Sequence, residues 1–450
     1  MTSGEVKLSG KLTKELVLEL SKRKKDPAWM RDFRLRSLET YNQMPLPNWG
    51  PKLDGLDVDH IASYVRSTSE MVDDWQKVPT DIRQTFEDLG IPEAERAGLA
   101  GVGAQYDSEL VYHNVKKAVA KSGVVYMGIE EALRSKKYGK MVQDYFMKLV
   151  PPSDHKFAAL HGAVWSGGSF VYIPKNVSVE FPLQSYFRFN APGAGQFEHT
   201  LIIADEGSSL HFIEGCSAPK YNVANLHAGC VEIFVKKHAS VKYSNVENWS
   251  KNMYNLNTKR AMDETGGKIE WVTGSFGSHV SMLYPMGILN GVGATMEYTG
   301  VSFAAADQDL DTGVKVVHNA AKTHSYILAK SLAKNGGKNT FRSLIVATKK
   351  ATKSRSFMNC QTLMLDGKSE SATIPTFNIA AADADIAHEA SVGKINEHAI
   401  DFLTSRGISR EHARGLIVRG FTTDISKQLP MEYAVEMNNL IQLEMRKAIA

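Results

Sequence analysis

The sequence predicts a mainly β protein: a right-handed parallel β-helix core flanked by N-terminal and C-terminal helical domains. Three observations carry the prediction. From about residue 165 to 395 the helical period nearly disappears, and short runs of Val, Ile, Phe, Tyr and Thr alternate with Gly, Asn, Asp and Ser turns. Within this stretch a small or polar pair followed by a strand recurs, in GSSLHFIEG, HASVKYSNV, GGKIEWVTG, GATMEYTG, THSYILAK, KNTFRSLIV and KSRSFMNC. Its first strand hydrophobes are Leu210, Val241, Ile269, Met296, Tyr326, Phe341 and Phe357, at offsets of 31, 28, 27, 30, 15 and 16, the last two making one more period. A repeat of about 30 residues built only of strand marks a solenoid, because one coil cannot bury its own apolar face. A β-sandwich also suits short strands and turns, but one sandwich does not use about 230 residues of one texture.

The flanks read as helix. We divide the chain into a helical and mixed domain over 1–150, the β-helix over 151–395 and a helical domain over 396–450. Residues 11–43 are predicted helical: Thr13 can cap the start, and an apolar set runs from Leu16, Leu18 and Leu20 through Trp29, Met30, Phe33, Leu35 and Leu38. Pro45, Pro47 and Pro51 end it, and residues 53–105 are polar and irregular, punctuated by Pro79 and Pro92. YHNVKKAVAKSG then reads as a helix stopped by Gly123, VVYMG as a strand, and MVQDYFMKLV as a helix stopped by Pro151 and Pro152. At the other end, INEHAIDFLTSR runs to Gly407, Ser409 can cap REHARGLIVRGF, and Pro430 opens MEYAVEMNNLIQLEM. Capping the solenoid and docking a partner are both open to these C-terminal helices.

Composition narrows the function. The chain has 450 residues, 53 Lys+Arg against 49 Asp+Glu, and a net charge of +4, too weak a balance to argue for nucleic acid. No run approaches 18 apolar residues, so no membrane span is predicted. The N-terminus MTSGEVKLSGKLTKEL has neither an apolar core nor an Arg-rich character, so a cytoplasmic, reducing setting is expected. Cys216, Cys230 and Cys360 are odd in number and lack a C-x-x-C pair, which excludes a disulfide framework. No Walker A, dinucleotide fingerprint, H-E-x-x-H or G-x-S-x-G is present. His155 and His161 flank an apolar stretch and read as core or surface histidines. Asp309 with Asp311 and Asp383 with Asp385 resemble the acid pairs of sugar-cleaving β-helices, but solvated turns account for them more simply.

The thiols carry the chemistry. Cys230 opens the apolar strand HAGCVEIFV and reads as a buried hydrophobe. Cys216, in EGCSAP, and Cys360, in SFMNCQTLMLDG, lack such surroundings. Positions one coil apart stack, and Arg188 lies 28 residues before Cys216, Glu247 31 after it, and His388 and Glu389 28 and 29 after Cys360. A guanidinium beside Cys216 is expected to favour its thiolate. Thiolate, imidazole and carboxylate on neighbouring rungs make a plausible iron ligand set, although a one-residue slip turns a strand side chain to the other face.

Longer landmarks add to this. FAALHGAVWSGGSFVYIPKNVSVEFPLQSYFRFN, GQFEHTLIIADEGSSLHFIEGCSAPKY, LHAGCVEIFV, YSNVENW, NTKRA, NCQTLMLDG, IAHEASVGKI, SRGIS and VRGF, with PAWMRDFRL and AGLAGVGAQYDSE upstream, resemble the SufB/SufD family of the SUF iron–sulfur cluster assembly system over about residues 12–440. The resemblance implies a non-enzymatic assembly scaffold that receives persulfide sulfur and holds a transient iron–sulfur cluster. It further implies that ATP is turned over only in a SufC-type ATPase docked on the C-terminal helices. A SufD-type paralogue or a second copy of the chain joins β-helix to β-helix, and a sulfur-donor protein feeds the complex. A need for reduced flavin is left open. Residue by residue, Cys216 matches the sulfur-accepting cysteine, Arg188 and Asn190 the F-R-x-N element, and Trp249 and Lys259 the sulfur path. Cys360 matches the interface cysteine, and His388 and Glu389 the H-E of the cluster site. Cys360 favours the SufB branch; a SufD-like organiser of the ATPase is the alternative. Members commonly have an acid where this chain has Ala387 and Gln where it has Glu247, and the cysteine-rich N-terminal insert of some members is missing.

Overall fold

A computed structural model describes residues 6–66, 72, 74, 77, 78, 80, 99–429 and 431–446. Pro79, Pro92 and Pro430 lie outside the described residues. The chain is mainly β, with a parallel β-helix core and helices toward both ends. One face of the solenoid stacks the strands Leu183–Arg188, Ser209–Ser217, Ser240–Asn248, Lys268–Phe276, Thr295–Ala304, His324–Ala333, Arg355–Met364 and Asp385–Lys394, all in parallel register. The opposite side is built from two short strands per coil at first. From Asp309–His318 onward a single ten-residue strand takes their place.

The repeat read from the sequence is the coil. Leu210, Val241, Ile269 and Met296 are partners in register and all face the core. Met296, however, pairs with Ser325, and Tyr326 is exposed, stacking outside on Phe357 with ring centroids 5.8 Å apart. Phe341 belongs to the opposite side of the coil, which explains the two half-period offsets.

One backbone feature recurs from coil to coil up to the strand Arg355–Met364. Asn176, Gly207, His238, Gly266, Gly293, Lys322 and Lys353 all have left-handed φ between 56° and 71°, and from Gly207 onward each stands two residues before a strand of the long face. The amide of each of the first six donates to the carbonyl just before the next corner, as Gly207 N does to Lys237 O and His238 N to Thr265 O. A Cβ at Gly266 would add the left-handed penalty and lie 2.3 Å from His238 Nδ1. Gly266→Ala is therefore expected to lower stability by about 1–2 kcal/mol. Lys322→Ala, which already carries a Cβ, should change it by less than about 0.5 kcal/mol. Urea unfolding of the two variants checks this, and equal losses would contradict it.

The helical ends depart from the sequence reading in informative ways. The N-terminal helical stretch is two helices, Lys14–Lys24 and Ala28–Gln43, broken by left-handed Lys25 and by Pro27. Thr13 Oγ1 accepts from Leu16 N as expected. Arg34 is buried, paired with Asp26 at 2.7 Å and donating to the carbonyls of Ala163 and Trp165, which ties this helix pair to the solenoid. Tyr112–Val115 is strand, and only Lys117–Lys121 before Gly123 is helical. A helix Ile129–Arg134 follows, and the one after it, Gly139–Tyr145, stops before Phe146 because the amides of Met147, Leu149 and Val150 turn onto the buried Glu232 carboxylate at 2.5, 2.6 and 2.9 Å.

The C-terminal helices Glu397–Thr404, Arg410–Ser426 and Met431–Arg446 do not plug the solenoid end. They cover the outward side of the long face, where Tyr433, Met437, Leu440 and Ile441 share an apolar cluster with Ile213, Val246, Val272, Val301 and Leu332. Lys242 and Lys330 of the sheet and Lys334, just past it, donate to the carbonyls of Gln428, Phe421 and Met445 in the C-terminal segment. The last coil is left open instead. Its strands Glu370–Ile379 and Asp385–Lys394 are the terminal strands of their sheets, with Ile379 48% and Val392 66% exposed.

Candidate functional site

Strand alternation divides the long face into inward and outward columns. Cys216 points inward with Glu214, Phe212 and Leu210, while Ile213 points outward under the C-terminal helices. Stacking then generates two inward columns. One runs Cys216, Glu247, Ser275, Ser302, Ser331, Thr362; the other runs Glu214, Asn245, Thr273, Gly300, Ala329, Cys360. The two thiols thus lie five rungs apart in adjacent columns, about 24 Å at the usual strand spacing. A narrow internal cavity of about 30 Å³ is lined by Asn245, Glu247, Lys259, Thr273, Ser275, Tyr298, Gly300, Ser302 and Ala329. That is room for about two water molecules.

A buried charged network surrounds Cys216. Lys259, from the strand Thr258–Asp263 across the coil, reaches Glu214 Oε1 at 2.9 Å and Glu247 Oε1 at 3.6 Å. Tyr243 donates to Glu214 Oε2, Asn255 Nδ2 donates to Glu247 Oε2 at 2.7 Å, and His227 bridges Asn255 Oδ1 and Glu198 Oε1 at 2.8 and 2.5 Å. Trp249 packs with Cys216, its ring 4.7 Å from His227. Burial, reinforced by Glu214, Glu247 and Glu198, pushes the Cys216 thiol well above its ordinary value, with Lys259 pulling the other way. Glu214 and Glu247 hold the Lys259 ammonium above its usual range despite its burial.

The expectation that Arg188 activates Cys216 does not survive. Arg188 pairs with Ser217, one residue on, and its Nη1 donates to Ser217 Oγ at 3.0 Å on the other face of the strand. Phe187 is the partner of Cys216. Asn190 turns the same way: its amide Nδ2 donates to Tyr106, and its backbone N–H donates to Asp107 Oδ1 at 2.6 Å. The cation beside the thiol is Lys259. The network members Glu198, His227 and Asn255 went unnoticed in the sequence, yet they follow the same arithmetic: Glu198 to His227 is 29 residues, and His227 to Asn255 is 28.

At the far end, Cys360 is buried and its thiol is pushed up to about 12 by desolvation. Its register partner is Ala390, so His388, two residues earlier, faces inward on the same side, with Nε2 buried and without a hydrogen-bond partner. Glu389 pairs with Asn359 and is exposed on the opposite face. The strand thus brings His388 toward Cys360 and turns Glu389 away. Asp311 is no solvated acid: it is buried and held by Arg342 at 3.1 and 2.7 Å. That removes it from any sugar-cleaving pair. No helix among the described residues is long and apolar enough to cross a membrane.

Comparison with known proteins places the chain in a family. Residues 24–185 match the SufBD protein N-terminal region, and residues 187–421 match the SufBD core domain of SUF system FeS cluster assembly. The chain is 48% identical over 438 residues to the iron–sulfur cluster assembly protein SufB of Bacillus subtilis, covering 97% of this chain and 94% of that protein. It is 47% identical, with the same coverage, to iron–sulfur cluster assembly SufBD family proteins of Staphylococcus epidermidis and Staphylococcus haemolyticus. The columns that join two buried thiols through a β-helix therefore sit in a member of the SufBD family of iron–sulfur cluster assembly proteins.

Proposed function

We propose that the chain is the scaffold on which a transient iron–sulfur cluster is built, with Cys216 as the sulfur acceptor and Cys360 as a cluster ligand. The observation that carries the reading is the pair of small and polar inward columns, with a narrow cavity between them, that connects the two thiols. In the first step a donor persulfide passes its terminal sulfur to Cys216: Cys216–SH and donor–S–SH become Cys216–S–SH and donor–SH. The Cys216 proton must leave before sulfur attacks sulfur, because the thiolate is the nucleophile. Lys259 is the cation placed to stabilise that thiolate, with Trp249 walling the site; Arg188 and Asn190 act from the other face, on the surrounding loop.

A two-electron external reductant then breaks the S–S bond, Cys216–S–SH, two electrons and a proton becoming Cys216–SH and HS−, and the sulfide moves along the columns toward Cys360, which holds iron with His388; Glu389 joins only if a partner or a rearrangement brings it round. Both thiols are buried, so transfer requires an opening. ATP turnover in a SufC-type ATPase docked on the C-terminal helices supplies it; Phe402 and Val435, both exposed there, suit a protein contact. The open last coil suits strand-to-strand pairing with a SufD-type paralogue or a second copy. The chain itself then catalyses nothing, and reduced flavin would serve only as an external reductant.

The test is anaerobic co-purification with the ATPase, followed by iron, sulfide and persulfide analysis. Cys216→Ser should remove persulfide, sulfide and iron. Cys360→Ser should leave persulfide on Cys216 and lower iron about tenfold or more. Undiminished iron and sulfide in both variants would overturn the scaffold reading and leave the chain as an organiser of the ATPase.

A further inference from the structure

The third cysteine has company that the assembly reading does not use. Cys230 pairs in register with His199 on the preceding rung, both outward, beneath the helix Lys156–Val164 that carries His161. One ring nitrogen of each histidine and the Cys230 sulfur lie within 4.8 Å of one another, and all three residues are buried.

The hydrogen bonds of the two rings decide what this cluster is for. His161 Nδ1 lies 2.9 Å from the Ala228 carbonyl, which can only accept, so that nitrogen carries the proton and Nε2 carries the lone pair. His199 Nε2 lies 3.2 Å from a Glu232 oxygen, in ion-pair contact although poorly aligned for a hydrogen bond. Glu232 is fixed there by three backbone amides and also accepts, which puts the His199 proton on Nε2 and the lone pair on Nδ1. The two lone pairs then face each other across 3.0 Å in a buried site. Neutral rings arranged so repel.

A metal ion resolves the conflict. Metal-bound histidines characteristically turn their other ring N–H to a carbonyl or carboxylate; His161 Nδ1 is hydrogen-bonded to the Ala228 carbonyl, and His199 Nε2 faces Glu232 in ion-pair contact. A tetrahedral ion with bonds of about 2.0 Å to nitrogen and about 2.3 Å to sulfur needs donors roughly 3.3–3.6 Å apart; the two nitrogens are 3.0 Å apart and the sulfur lies within 4.8 Å of both. Phe146, whose ring centroid is 4.1 Å from that of His199, helps keep water out.

We infer that His161, His199 and Cys230 form a binding site for a single divalent transition-metal ion of the zinc–iron class, clamping the helix Lys156–Val164 to the solenoid. Binding converts the Cys230 thiol to a thiolate and releases one proton. The site is sealed, so it fills during folding, and it is separate from the inward columns because Cys230 faces outward.

The experiment expresses the full chain in cobalt-supplemented medium, in a Cys216→Ser/Cys360→Ser background, and reads metal content and absorption. About one cobalt per chain is expected, with a thiolate-to-cobalt charge-transfer band in the near ultraviolet that disappears in Cys230→Ser. His161→Gln, which keeps a donor for the Ala228 carbonyl, should lower metal retention about tenfold or more, and it gives the same readout if the serine variant does not fold. A folded parent chain without cobalt, or a band unchanged in both variants, would overturn the inference.

Discussion

Lys259→Met is expected to destabilise the chain by about 3–5 kcal/mol. Lys259 is the only cation within ion-pair distance of Glu214 and Glu247 among the described residues, and all three side chains are buried. Removing it leaves two carboxylates facing each other in a medium that screens them poorly. Loss of the apolar stem is not the cause, since methionine replaces most of it. The double variant Lys259→Met/Glu247→Gln should therefore recover a large part of the loss, because it removes one of the two uncompensated charges. Urea unfolding of the wild type, the single and the double variant measures this. A single variant within about 1 kcal/mol of wild type would mean that Lys259 does not compensate the two buried carboxylates.

The second large effect is a pH dependence carried by His318. Its ring is buried, held by Thr323 Oγ1 at 2.8 Å and Ser325 Oγ at 3.1 Å, and burial lowers its pKa to about 4. A histidine depressed in the folded state contributes stability that is fully present above its unfolded pKa of about 6.5 and is lost as pH falls toward 4. The share at stake is about 3 kcal/mol. His113 and His211, lowered to about 4 by burial as well, act in the same window but keep some solvent contact and contribute less. Asp263, raised by burial, and His227, raised by Glu198 against its burial, act with the opposite sign. The measurement that isolates His318 is the stability difference between wild type and His318→Asn at pH 7 and pH 4.5. The difference should shrink by about 2–3 kcal/mol in acid; a constant difference would refute the assignment.

The coil was legible because its first hydrophobes repeat with the stacking period, and the partner of Cys216 followed from it: Glu247, 31 residues on, is its register mate. The same arithmetic failed at Arg188, Tyr326 and Glu389, each a single residue out of step. In a strand one residue is the whole difference between inside and outside, and a period that varies between 27 and 31 cannot be read to that precision. The outward apolar residues Ile213, Val246, Val272 and Val301 were visible as strand hydrophobes, but nothing local shows that helices nearly 200 residues later cover them. The end of the helix Gly139–Tyr145 was hidden for a similar reason. It is decided by Glu232, far along the chain, and not by the prolines that follow.

The left-handed corners have a consequence for how the chain tolerates change. Some of the difference in coil length lies in the loop that leaves the long face: 218–224 in one coil against 249–252 in the next, a difference of three residues that equals the difference between their periods of 31 and 28. Each corner then restarts the count, two residues before the next strand of that face. The corners act as phase resets, so an insertion in a departing loop stays within its own coil and leaves the inward columns in step. An insertion between a corner and the column would instead invert every side chain on that rung. Drift and interior chemistry are thereby kept on separate parts of the same turn, and the chain can lengthen its loops for new partners without moving either thiol.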